Sequence, residues 1–170
     1  MPSRRMAMMQ VYARGRALTN CYGIVYDTIM ARQVVFDTNV FVSAIRSRRD
    51  ASHRLLLLVD GPDFQINLPV PLVIEYEDVA KRMAEEAGLT SSDVDDVIDY
   101  LCSVARLREI HFLWRPVLKD PGDDHVLELA AEAECHVIIT HNVRDFAGAE
   151  HFGIKAVTPG EFLKSIGGRS

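Results

Sequence analysis

From Gln33 onward the chain alternates short apolar runs with stretches at helical spacing, the pattern of βαβ units and a parallel sheet. Val34-Val35-Phe36 is all apolar and ends in Asp37, as a strand buried on both faces reads. Asn39 is placed to cap a helix running through Val42, Ala44 and Ile45. Residues 51–60 hold the run Leu55 to Leu58 and stop at Gly61-Pro62, which predicts a second short helix. A second strand follows over 64–68. Pro71 then opens a long helix to about residue 87, with Leu72, Val73, Tyr76, Val79 and Met83 near helical spacing and Gly88 after its end. Thr90, Ser91 and Ser92 offer caps for a helix over 93–105. A third strand is predicted over 109–113. The polar turn Lys119-Asp120-Pro121-Gly122-Asp123 leads into a helix over 124–134 whose Val126, Leu127, Leu129, Ala130 and Ala133 face the core. A fourth strand over 137–140, a short strand at 156–157 and a helix over 159–166 complete one domain, with no repeat or linker.

Composition agrees with a single core. The chain has 170 residues, 48% of them hydrophobic and 25% charged. No run of about 18 apolar residues is there to span a bilayer as a helix, which excludes a helical membrane protein. Cys21, Cys102 and Cys135 are odd in number and lack CxxC spacing. Neither a disulfide framework nor a thiolate zinc site is written here, and a reducing, cytoplasmic compartment is expected. The net charge of −5 divides unevenly: residues 1–29 carry Arg4, Arg5, Arg14 and Arg16 against Asp27, a net of +3, and the remainder carries −8. The first segment lacks the apolar run of a secretory signal. It is expected to be a poorly ordered extension, or upstream sequence from a misassigned start at which Met30 is the true beginning, and it is set outside the fold.

Ligands of open α/β sheets bind beyond the carboxyl ends of the strands, and here those ends carry acids. Asp37 ends the first strand. Asp120, Asp123 and Asp124 stand at the start of the helix that feeds the fourth strand, with Asn142 and Asp145 just past that strand, and Glu75 lies on the first turns of the helix after the second. Each acid alone has an ordinary use: Asp37 or Asp124 could cap a helix, and Glu75 could be a solvated surface residue. Together at one rim they would repel one another unless a cation or protons offset their charge. Oxygen donors without His or Cys suit Mg²⁺ or Mn²⁺, and such an ion activates water against a phosphate ester.

Other chemistries fit less well. The histidines (His53, His111, His125, His136, His141, His151) show no HxxxH or HExxH spacing and are read as surface or packing residues. A haloacid-dehalogenase-type phosphatase needs a second Asp two residues after the first, where this chain has Asn39. A phospho-receiver needs an acidic pair and a late Lys directly after its strand, and here that strand ends in Thr140 with His141 next.

Four ordered segments, Val34 to Ala44, Ile74-Glu75-Tyr76, Lys119 to His125 and Ile139 to Phe146, together resemble the PIN domain, and within it the toxin-like bacterial branch. The resemblance spans 34–163. It implies a three-layer α/β/α sandwich with a central parallel sheet and a ribonuclease dependent on Mg²⁺ or Mn²⁺. Carried over position by position, Asp37 matches the acid of the first strand, Glu75 the helix glutamate and Asp124, which stands 18 residues before Asn142, the third acid. Thr140 matches the hydroxyl residue that supports the loop of Asp37, with Thr38, Asn39 and Asn142 beside it as supporting residues. The resemblance implies that Asp37, Glu75 and Asp124 hold one ion while water attacks a phosphodiester in line. It also implies a protein antitoxin that covers the cleft, and a homodimer.

The chain departs from the pattern at the fourth acid. Many members carry Asp two residues after this Thr, where Asn142 stands, and Asn142 cannot ionise. Asp145, or Asp120 and Asp123, could make up the charge, and the alternative is a weakened module that binds RNA or a protein without cleaving it. A domain at −8 does not attract RNA as a whole. Local candidates for RNA contact are Arg46, Arg48, Arg49 and Arg54, then Lys81, Arg82 and Arg144.

Overall fold

The structure, a computed structural model, describes residues 31–110 and 117–167. The reading of residues 1–29 lies outside them, as do residues 111–113 of the predicted third strand. Strand β1 (Arg32–Phe36) runs through the middle of a five-stranded sheet. It pairs in parallel with β2 (Phe64–Pro69) through Val34 and Ile66, and on its other side with β4 (Val137–Ile139) through Val35 and Ile138. Strand β3 (Arg106–Arg108) lies beyond β2 and β5 (Lys155–Val157) beyond β4, so the order is β3-β2-β1-β4-β5 and every pairing is parallel.

The helices are α1 (Thr38–Arg46), α2 (Ala51–Leu56), α3 (Val70–Met83), α4 (Ser91–Val104), α5 (Asp124–Glu132) and α6 (Pro159–Gly167), with 3-10 turns at Val143–Phe146 and Ala149–Phe152. The strand order dictates their layers. The chain steps outward from β1 to β2 to β3, then returns across the sheet to β4, so right-handed crossovers place α5 on the face opposite α1 to α4. The packing agrees: α1 meets α2 and α3, α3 meets α4, and α2 meets α6, while α5 lies against β1, β2 and β4. This is the expected α/β/α sandwich.

Aromatic rings fill the first layer. Phe64 packs edge-on against Phe162 of α6 at 5.5 Å and contacts Phe36 at 6.0 Å, while Phe41 and Tyr76 stack at 4.6 Å. Tyr76 is fully buried and donates its hydroxyl hydrogen to the Phe36 carbonyl, fixing α3 to the last residue of β1. On the other face α5 buries Val126, Leu127, Leu129 and Ala130.

Several predicted boundaries move, among them the helix over 51–60, which ends at Leu56, and the long helix, which ends at Met83, and three of the changes have a local reason. The third strand is Arg106–Arg108, ahead of the predicted start at 109, and Glu109 and Ile110 lie outside it; an edge strand need bury little, and Leu107 is 60% exposed, so an apolar run is the wrong signal for it. Asn39 does not cap α1. Asp37 holds the cap position, yet its side chain makes no capping bond and is turned elsewhere. Helix α5 ends at Glu132, two residues early, through a left-handed turn at Glu134 (φ 52°) in which Cys135 N–H donates to the Ala130 carbonyl at 2.7 Å. No glycine marks that turn in the sequence.

Two stability predictions follow from this packing. Glu134→Gly, which removes the left-handed strain on a side chain, is expected to raise unfolding free energy by about 0.5–1 kcal/mol in urea titration. Leu127→Ala, at a fully buried position, is expected to cost about 2–5 kcal/mol in the same measurement.

Candidate active site

The strand order reverses between β1 and β4, and the crevice beyond their carboxyl ends is where an open sheet binds ligands. Backbone joins the two ends first: Asp37 N–H donates to the Ile139 carbonyl at 2.9 Å. Side chains then complete the junction. Thr140, fully buried, donates its hydroxyl hydrogen to Asp37 Oδ2 at 2.6 Å and accepts from the Asn142 N–H at 2.9 Å. Asn39 spans the gap, its Nδ2 donating to Asp37 Oδ2 at 2.5 Å and to Thr140 Oγ1 at 3.2 Å, and its Oδ1 accepting from the His141 N–H at 3.1 Å. One carboxylate oxygen of Asp37 is thus held from two sides. The side chain is 7% exposed.

Glu75, one turn into α3, reaches the same edge. Thr38 donates its hydroxyl hydrogen to Oε1 at 2.6 Å, and His125 Nε2 lies 3.0 Å from Oε2. Sequence reasoning set His125 aside with the other histidines, since no motif spacing marks it. The available signal was its position immediately after Asp124 on the first turn of a helix aimed at the rim.

The adjacent acids of the 120–124 turn separate in role. Asp124 is buried and points back along the chain, accepting from Leu118 N–H at 2.9 Å and from Val117 N–H at 3.1 and 3.3 Å. Asp120 accepts from Gly122 N–H at 2.9 Å, an Asx turn. Asp123 instead meets the other acids. Burial, and then the charges of Asp37, Asp120 and Asp145, push its carboxyl up to about 6. Asp37 is raised as well, by burial and by Glu75, with the Thr140 bond offsetting part of the rise. Of the sequence-predicted acids, Asp37, Glu75, Asp120, Asp123 and Asp145 therefore share one field, whereas both oxygens of Asp124 are taken by backbone amides.

The arginines divide too. Arg144 is exposed in the 3-10 turn just past Asn142, beside the acids. Arg46 lies in the last turn of α1, roughly 12 Å along the helix from Thr38 at 1.5 Å per residue. Arg46 and Arg48 line a separate hollow of about 210 Å³ with His53, Leu89 and Asp93.

By donor chemistry the acids fit a hard divalent cation: they are carboxylates near one rim, and Asp37 and Asp123 are raised by burial and then by neighbouring carboxylates. Among the described residues no three His, Cys, Asp or Glu side chains already converge as a ligand cage. Holding an ion would draw in Glu75, whose side chain is 40% exposed, and the exposed Asp120.

The raised Asp123 carboxyl sets a sign. Its folded value of about 6 exceeds the ordinary 3.8, so its ionisation opposes folding and the penalty grows as pH rises through that window. Asp123→Asn is expected to raise Tm by about 1–4 °C at pH 8, with the gain vanishing toward pH 4, in calorimetric scans without added metal.

The match to known families bears on what this edge can do. The PIN domain family matches residues 33–144. Among solved structures, the chain resembles a PilT N-terminus domain protein from the hyperthermophilic archaeon Sulfolobus solfataricus, with 15% identity, TM-score 0.48, and coverage of 79% of this chain and 92% of that one. No curated protein matches it. With the family match extending from β1 through Arg144 and so enclosing Asp37, Glu75 and the 120–124 turn, the chain belongs to the PIN domain family, whose members are generally nucleases.

Proposed function

We propose that this protein is a ribonuclease dependent on Mg²⁺ or Mn²⁺. The observation that carries the reading is the meeting of side chains beyond β1 and β4: Thr140 holds Asp37 at 2.6 Å, Thr38 beside it holds Glu75 at 2.6 Å, and Glu75 lies 3.0 Å from His125 at the start of α5, with Asp120, Asp123 and Asp145 adding charge. PIN domains typically use divalent metal ions. When bound, such an ion supplies Lewis acidity, easing deprotonation of water and neutralising charge that builds on the phosphate.

The chain's own groups do the rest. Asp37 offers Oδ1 while Thr140 and Asn39 fix Oδ2, so the donor is held in place before any ligand arrives. Glu75 offers Oε2. In the 120–124 turn Asp123 is the acid coupled to the charge of Asp37, and Asp124 has Oδ1 bonded to the amides of Val117 and Leu118 and Oδ2 only 3.3 Å from the Val117 amide, so Oδ2 is its freer donor. Asp145 supplies negative charge next to the position where Asn142 carries none. Arg144, exposed in the turn just past Asn142, would meet a backbone phosphate that the acids alone would repel.

The sequence resemblance supports a finer assignment: the toxin of a toxin–antitoxin pair, acting in the cytoplasm as a homodimer and covered by a cognate protein antitoxin. Asn142 favours one other reading, a module that binds RNA or a protein without cutting, because it removes a charge from the site.

Cleavage of labelled single-stranded RNA by the purified chain, in Mn²⁺ or Mg²⁺ and against EDTA, tests the proposal. Asp37→Asn is expected to lower the rate by about 10²-fold or more while leaving the melting curve cooperative. Undiminished cleavage in that variant, or cleavage in EDTA, would sink it. Asp124→Asn is expected to lower Tm because it releases residues 117 and 118, whereas Asp123→Asn lowers cleavage without lowering Tm.

A further inference from the structure

His125 follows Asp124 on the first turn of α5, so its side chain projects about 100° round the helix from the carboxylate that ties down residues 117 and 118. That direction brings Nε2 to 3.0 Å from Glu75 Oε2. Nε2 is also the one buried side-chain nitrogen or oxygen among the described residues that makes no hydrogen bond. Buried polar atoms are ordinarily satisfied, and an exception calls for a ligand or a function. Glu75 is fixed on its other oxygen by Thr38, so the imidazole and the free oxygen meet at one defined point.

We propose that His125 Nε2 is a nitrogen donor to the divalent ion of this site, beside Glu75 Oε2, and that the site therefore selects Mn²⁺ over Mg²⁺. This rests on the metal-dependent reading given above. Carboxylates alone suit both ions, whereas imidazole belongs with transition ions. To act as a donor the ring must be neutral with its proton on Nδ1, and an ion shared by the Nε2 lone pair and Glu75 Oε2 would offset the repulsion of two acceptors 3.0 Å apart. The family pattern of acids does not include this residue, so the donor set of this chain is mixed where an all-acid site would be uniform.

Pulsed electron paramagnetic resonance on the untagged full chain loaded with Mn²⁺ reads the bond directly, through the ¹⁴N modulation of a coordinated imidazole. Calorimetric titrations with Mn²⁺ and Mg²⁺ accompany it. The wild type is expected to show the modulation and His125→Gln to lose it, with Mn²⁺ affinity falling at least about tenfold and Mg²⁺ affinity falling less. Mn²⁺ bound in a manner that Asp37→Asn weakens, yet without imidazole modulation or with modulation that survives in His125→Gln, overturns the proposal and leaves the nuclease reading standing. A wild-type chain that binds no Mn²⁺, or binds it indifferently to Asp37→Asn, overturns both. Should His125→Gln fail to fold, His125→Asn takes its place, and absence of modulation in the wild type is decisive without any variant.

Discussion

Asp37 is the point at which the two halves of the sheet and the chemistry of its edge meet. Its amide closes onto Ile139 and its carboxylate onto Thr140, so the carboxyl ends of β1 and β4 are joined by backbone and side chain at once. Thr140 saturates its hydroxyl there, donating to Asp37 and accepting from Asn39 and Asn142. The same short stretch anchors α3 from below, through Tyr76 on the Phe36 carbonyl. This acid is therefore built into the sheet's own hydrogen bonding rather than carried on a loop. Its geometry is as rigid as the central strands.

That rigidity comes with an electrostatic cost. Burial and neighbouring acids raise both Asp37 and Asp123, so the folded protein holds charge that its own surroundings disfavour. Strain of this kind, concentrated at one edge of an otherwise consistent fold, is the cost that the cation of the proposed function would offset. Asp124 shows the contrast. It sits beside Asp123 in sequence, yet two backbone amides satisfy it and turn it into an anchor for the approach to α5.

Most of the fold was legible because buried parallel strands and amphipathic helices leave strong periodic signals. Val34-Val35-Phe36 and Val137-Ile138-Ile139 read as strands for the reason that all but the half-buried Val137 are buried. The edge strand Arg106–Arg108 left no such signal, since it buries little, and the end of α5 was hidden because Glu134 takes the left-handed position that a glycine would have announced. In the site, sequence order was enough to bring Asp37, Glu75 and the 120–124 turn to one rim. It could not say which of the adjacent acids faces inward, because that depends on a few tens of degrees of helix phase and on amides at 117 and 118. Nor could it single out His125, whose significance lies in a contact with a residue fifty positions earlier.

The central claim is that the acids at the β1–β4 crevice hold a divalent cation. A crystal structure of the chain grown with Mn²⁺, with data collected for anomalous scattering, tests it most directly. A manganese peak in contact with Asp37 Oδ1 and Glu75 is the expected result. Saturating Mn²⁺ with no peak at that edge, or with its only peaks elsewhere on the molecule, would contradict the account.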